Sequence, residues 1–182
     1  MWPRRSVQAG FTLAELMAVV VIVGVLAAVG VTYFRRHALA SKVTEAEAMV
    51  QSIRAAEERY RAENRQYLNV SGTLTNYYPH APDGLRRPFF KPSADTDPTN
   101  RLWWMLNPTS SGLVQFGYAV VAGPSGVAMT QPTGLDMTTN WPMPTDSWYV
   151  IQAAADNDGD HVYCVVIGTS INGEVYVENE GE

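Results

Sequence analysis

The chain has 182 residues, 46% apolar and 17% charged, with a formal net charge of −5. That length holds one modest domain rather than two. The acidic balance leaves no basic patch of the kind that binds nucleic acid. A single cysteine, Cys164, excludes an intrachain disulfide and leaves the redox compartment open.

Residues 1–10, MWPRRSVQAG, are short and basic, with no apolar run of their own. Residues 11–34, FTLAELMAVVVIVGVLAAVGVTYF, carry one formal charge, Glu15. A helix of that length spans roughly 36 Å, enough to cross a bilayer core of about 30 Å. Arg4 and Arg5 favour a cytoplasmic N-terminus, although Arg35, Arg36 and His37 at the other end reduce the bias. Ala27-Ala28-Val29-Gly30 imitates a secretory cleavage site, but the apolar run before it exceeds an ordinary signal core of about 7–15 residues. Within such a segment a lone carboxylate costs on the order of 3 kcal/mol. Glu15 therefore either snorkels to the headgroups or has a partner and a role.

Residues 35–66 continue the helical pattern in an amphipathic form. Leu39, Val43, Ala46, Val50, Ile53 and Tyr60 fall on one stripe, and Glu45, Glu47, Arg54, Glu58 and Arg59 lie mostly off it. Without glycine or proline from Val31 to Gly72, the two parts predict one helix of about 53 residues. The stripe needs a sheet to cover it. Residues 67–113 are rich in turn formers, with Pro79, Pro82, Pro88, Pro92 and Pro98, and predict an irregular helix-to-sheet connection. Within it, Leu102-Trp103-Trp104-Met105-Leu106 predicts a plug for the helix–sheet core.

Residues 114–182 read as an antiparallel sheet of about four strands. Val114, Phe116, Tyr118, Val120 and Ala122 alternate with their neighbours. Trp148–Ala154 and Val162–Ile167 are nearly all apolar, as central strands covered on both faces would be, and Glu174–Glu178 alternates like an edge. Asp158-Gly159 and Asn172-Gly173 are turn dipeptides between these runs. The fold class is α+β, a long N-terminal helix packed on a C-terminal antiparallel sheet.

Asp156, Asp158 and Asp160 place three carboxylates at alternate positions, a donor set suited to calcium; the glycine position does not match an EF-hand loop. The plainer reading is an acidic turn, with aspartates capping backbone N–H groups. His37, His80 and His161 are scattered without metal-ligand spacing. No phosphate-cradling loop, nucleophile elbow or zinc signature is present, so the reading is of a non-enzyme with no cofactor other than that calcium candidate.

Gly10-Phe11-Thr12-Leu13-Ala14-Glu15-Leu16-Met17, behind a short basic leader, resembles the signal of type IV pilins and pseudopilins. The resemblance implies the pilin fold, a prepilin peptidase that cuts between Gly10 and Phe11, and N-methylation of the new Phe11 amine. It implies that Glu15 pairs with the Phe11 amine of a neighbouring subunit during assembly. The leader would be residues 1–10, and its loss would leave 11 basic against 18 acidic residues, a charge of −7. The expected partners are other pilin subunits, the peptidase and an inner-membrane assembly platform. The expected location is the bacterial inner membrane as a single-pass precursor, then a periplasmic or surface filament. A minor pilin of a type IV pilus is the first reading. A pseudopilin of a type II secretion system is the second, and a membrane-anchored enzyme or sensor the third. Thr32 stands where many type IV pilins carry proline, which leaves Gly24 and Gly30 as the weak points of the segment. Many relatives close a C-terminal loop with two cysteines; here hydrogen bonds or an ion must hold it.

Overall fold

The computed structural model describes residues 11–89, 98–110, 112–132, 141 and 143–180. Helix α1 runs Leu13–Asn64. Thr12 and Glu15 start it with a capping box. The Thr12 backbone N–H and hydroxyl donate to Glu15 Oε2 at 2.9 and 2.7 Å, and the Glu15 N–H donates to Thr12 Oγ1 at 3.2 Å. It stops at Arg65, whose φ of 60° is left-handed and whose N–H reaches the Arg61 carbonyl at 2.7 Å.

The chain divides into two compact units, Met1–Ala38 and Leu39–Glu182. In the first, Leu13–Val31 is long and apolar enough to cross a membrane, and none of it is buried. In the second, α1 turns Val43, Ala46, Met49, Val50, Ile53 and Ala56 into the core. The predicted stripe therefore packs as expected through its middle, with Met49 and Ala56 widening it and Leu39 and Tyr60 only partly covered.

Four strands form the sheet in chain order, all antiparallel: β3 Gly117–Gly123, β4 Trp148–Ala155, β5 Cys164–Thr169 and β6 Val175–Glu178. The register sets Val120 opposite Ile151, Ala153 opposite Val166 and Ile167 opposite Tyr176. Alternate side chains, among them Tyr118, Val120, Tyr149, Ile151, Ala153 and Val166, join the α1 core. The opposite set, Ala119, Val121, Trp148, Val150, Val165 and Ile167, is buried with Leu74 and Met129 on the other face. Both faces are covered, which explains the near-continuous apolar runs of β4 and β5. Gly168 matters for this contact. A Cβ there would lie 2.7 Å from Val50 Cγ1, so only glycine lets α1 approach β5 this closely.

The free edge of β3 is blocked by the connection from α1. Tyr78 and Tyr118 exchange backbone hydrogen bonds at 2.8 and 2.7 Å, and the Ser71 N–H reaches the Val120 carbonyl at 2.9 Å. An edge sealed in this way cannot template a further strand.

Three local expectations change. The 67–113 connection is not irregular throughout: helix α2, Pro98–Leu106, sits in it, and β1, Arg87–Pro88, pairs with β2, Leu113–Val114. Pro98 occupies the first turn of α2, where its missing N–H costs nothing. Trp103 and Leu106, three apart, face the core as the predicted plug, while Trp104 and Met105 are exposed. The strand predicted from Val114 breaks at Gln115, whose N–H donates to Glu45 Oε1 at 3.0 Å instead of to a neighbouring strand. The strand predicted from Val162 begins at Cys164, because the Val162 N–H is taken by Asp160 Oδ1 at 2.7 Å.

Candidate functional site

Two places carry the residues singled out in the sequence. The first is the start of α1. Gly10 and the leader 1–10 lie outside the described residues. Phe11 is exposed, and Glu15 is exposed with its carboxylate turned back onto Thr12. The capping box holds Glu15 Oε2 at the N-terminal end of the helix. An amine arriving there would meet a carboxylate already fixed in direction. The Thr12-x-x-Glu15 spacing is itself a capping signal in the sequence, one that the charge of Glu15 alone does not reveal.

The second is the β4–β5 turn. It brings Asp156, Asp158 and Asp160 together, with one oxygen of each inside a span of 4.8 Å. Each carboxylate is also a local cap. Asp156 accepts from the Gly159 and His161 N–H groups at 2.6 and 3.1 Å, Asp158 from Asp160 at 3.3 Å, and Asp160 from Val162 at 2.7 Å. Asp156 is nearly buried and the other two are exposed. Three hard oxygens fit a calcium ion in kind, but a shell of about six to eight needs further carbonyls or water. The turn-capping role is met by the same atoms.

Hydrogen bonds, one of the two expected means, hold the β5–β6 turn, and the side chain that makes them was not singled out in the sequence. From α1, the Arg54 guanidinium donates to the carbonyls of Thr169 at 2.9 Å, Gly173 at 2.8 Å and Asn172, and its Nε reaches the Tyr149 hydroxyl at 3.4 Å. One side chain thereby ties the β5–β6 turn to the helix. Arg59 does the same for α2, donating to the carbonyls of Leu106 and Asn107 at 2.6 and 3.2 Å. Charge and helical position had marked both only as off the apolar stripe. Glu57 was missed as well; it is fully buried and accepts the Leu68 N–H at 2.9 Å.

Residues 5–31 match the family model of the prokaryotic N-terminal methylation motif. At the head of its apolar helix the chain thus carries a signal similar to that of type IV prepilins. It is similar to the type II secretion system core protein G of Pseudomonas aeruginosa, at 35% identity over 97 residues. The match covers 53% of this chain and 61% of that relative. No solved structure matches the chain.

Proposed function

We propose that the chain is a structural subunit of a pilus-like filament, processed between Gly10 and Phe11 and assembled through its apolar helix. The observation that carries this reading is the register of three features: the methylation motif over residues 5–31, the capped Glu15, and the exposed apolar span Leu13–Val31. Pairing Glu15 with an incoming Phe11 amine would set register between subunits more than net stability. The precursor would sit in the inner membrane with its N-terminus in the cytoplasm, and the sheet-bearing unit would face outward. Other pilin-type subunits, a prepilin peptidase and an assembly platform would be its partners.

Sequence reading put a minor pilin first. The similarity to a type II secretion core protein moves the preference to a pseudopilin, with the minor pilin as the second reading. Co-expression with a prepilin peptidase followed by N-terminal sequencing tests the shared part. A methylated Phe11 terminus is expected, and an uncut chain would instead favour a membrane-anchored enzyme or sensor. Complementation of a secretion-defective strain against a pilus-defective strain then separates the two filament readings.

For the Asp156–Asp160 turn we propose calcium as the ion it would take, on the convergence of three carboxylate oxygens. Melting the protein in excess chelator and in millimolar calcium tests this. A calcium-dependent rise is expected, and an unchanged midpoint would leave the turn as a self-capped loop.

A further inference from the structure

Glu57 lies two turns from the end of α1, with no exposed surface. Its Oε2 accepts the Leu68 N–H at 2.9 Å, and its Oε1 has no hydrogen-bond partner among the described residues. A single backbone N–H is weak compensation for a buried carboxylate.

The charged and titratable groups around it are committed elsewhere. On α1 itself, Arg54 is spent on the β5–β6 turn, and the Arg61 Nη1 donates to the Tyr67 hydroxyl at 2.9 Å. Glu58 accepts from that same hydroxyl at 2.8 Å and adds negative charge rather than offsetting it. From the connection comes Tyr67, and from β4 comes Tyr149, whose rings meet edge to face at 4.7 Å. None of these supplies a cation to Glu57, and none of the ion pairs among the described residues includes it.

We propose that Glu57 is a proton-gated clasp: as a neutral acid it binds the end of α1 to the connection at Leu68, and the hold weakens as the surrounding pH rises. The proton leaves to solvent, and the carboxylate then gains by reaching water, which requires the 67–68 backbone to move off. The Tyr67 contacts with Glu58 and Tyr149 lie on the same hinge and would open with it.

Burial pushes the Glu57 acid up to about 8, against the pull of the Leu68 N–H and with the added charge of Glu58. Burial also raises both tyrosines, Tyr67 to about 12, so neither ionises in the same range. In the closed state Glu57 keeps its proton to about pH 8, whereas once released it titrates near its ordinary value of 4.5. Opening therefore releases a proton throughout that window and becomes easier as pH rises, levelling off above it. The inference stands on the fold of the second unit and does not depend on the filament reading.

Amide hydrogen exchange at Leu68, measured on the full chain in detergent from pH 5 to 9 and corrected for intrinsic rates, tests it. The expected result is a loss of protection of about tenfold per pH unit up to about pH 8, then a plateau. Glu57→Gln keeps an acceptor for Leu68 without a titrating proton, so its protection should stay flat. Wild-type protection that is independent of pH, or an equal fall in the variant, overturns the proposal. Should the variant fail to fold, carboxyl-carbon NMR of wild-type protein labelled at glutamate decides. A Glu57 carboxyl that titrates near 8 supports the clasp, and one that titrates between 4 and 5 overturns it.

Discussion

Helix α1 carries a telling glutamate in each of the two units it passes through, and they are opposites. Glu15 is exposed within a segment, Leu13–Val31, that is not buried, and among the described residues its side-chain hydrogen bonds are with Thr12, three residues away. Glu57 is fully buried, and among the described residues its side chain's one hydrogen bond comes from a connection eleven residues on. The first acid stands in the open, held only by its own helix start. The second is closed off by the fold of its own chain. The same side chain on the same helix is thus exposed and locally capped in one place and buried with a single N–H in the other, and surroundings decide what a carboxylate costs.

The largest effect should come from the exposed acid. Glu15→Ala should insert in the membrane normally and all but abolish incorporation into filaments, measured by shearing cells and blotting the filament fraction. Normal incorporation would erase the assembly side of the contrast. Next comes the core that closes over the second half. Trp103 is fully buried, stacked on Tyr78 at 5.2 Å and edge-on to Phe89 at 5.5 Å. Trp103→Ala should destabilise that unit by about 3–5 kcal/mol in a denaturant melt. It should leave membrane insertion untouched, which a shared response of both halves would contradict.

The buried acid sharpens the comparison through pH. Its folded-state value is raised, so the folded protein holds a proton that the unfolded chain gives up above 4.5. Wild-type melting temperature should therefore fall as pH rises from about 5 to about 8 and then level. Glu57→Gln should remove that slope, while a slope of the same size in the variant would assign it to other groups. The smallest effect is expected at the β5–β6 turn. Arg54→Ala strips donors from three carbonyls and should cost about 1–3 kcal/mol, with Arg54→Lys recovering little because a point charge cannot span them. Thermal melts of the three proteins would show it, and full recovery by lysine would reduce the clamp to simple charge.

Comparing residues shows where sequence reading succeeded. The ends of α1, the alternation through Tyr118 and Val120, the two-sided burial of β4 and β5, and the carboxylates at Asp156, Asp158 and Asp160 were all legible, since each depends on local spacing. Helix α2 was hidden by the prolines around it, because proline composition was weighed without its position at the first turn. Arg54 and Arg59 sit among other charges off the stripe, and nothing in their spacing sets them apart, whereas Glu57, four residues after Ile53 and three before Tyr60, falls on the apolar stripe itself, where its spacing alone marks it as facing inward.

By itself the sequence determined the apolar span, the capped start of α1 with Glu15 in it, and the strand pattern of the sheet. Those follow from periodicity and from contacts three or four residues apart. Only the tertiary structure decided which charged side chains became clamps and what covers and partners the acid that spacing places on the stripe. Those outcomes depend on carbonyls and N–H groups contributed from 11 to 119 residues away, such as Leu68 for Glu57 and Gly173 for Arg54.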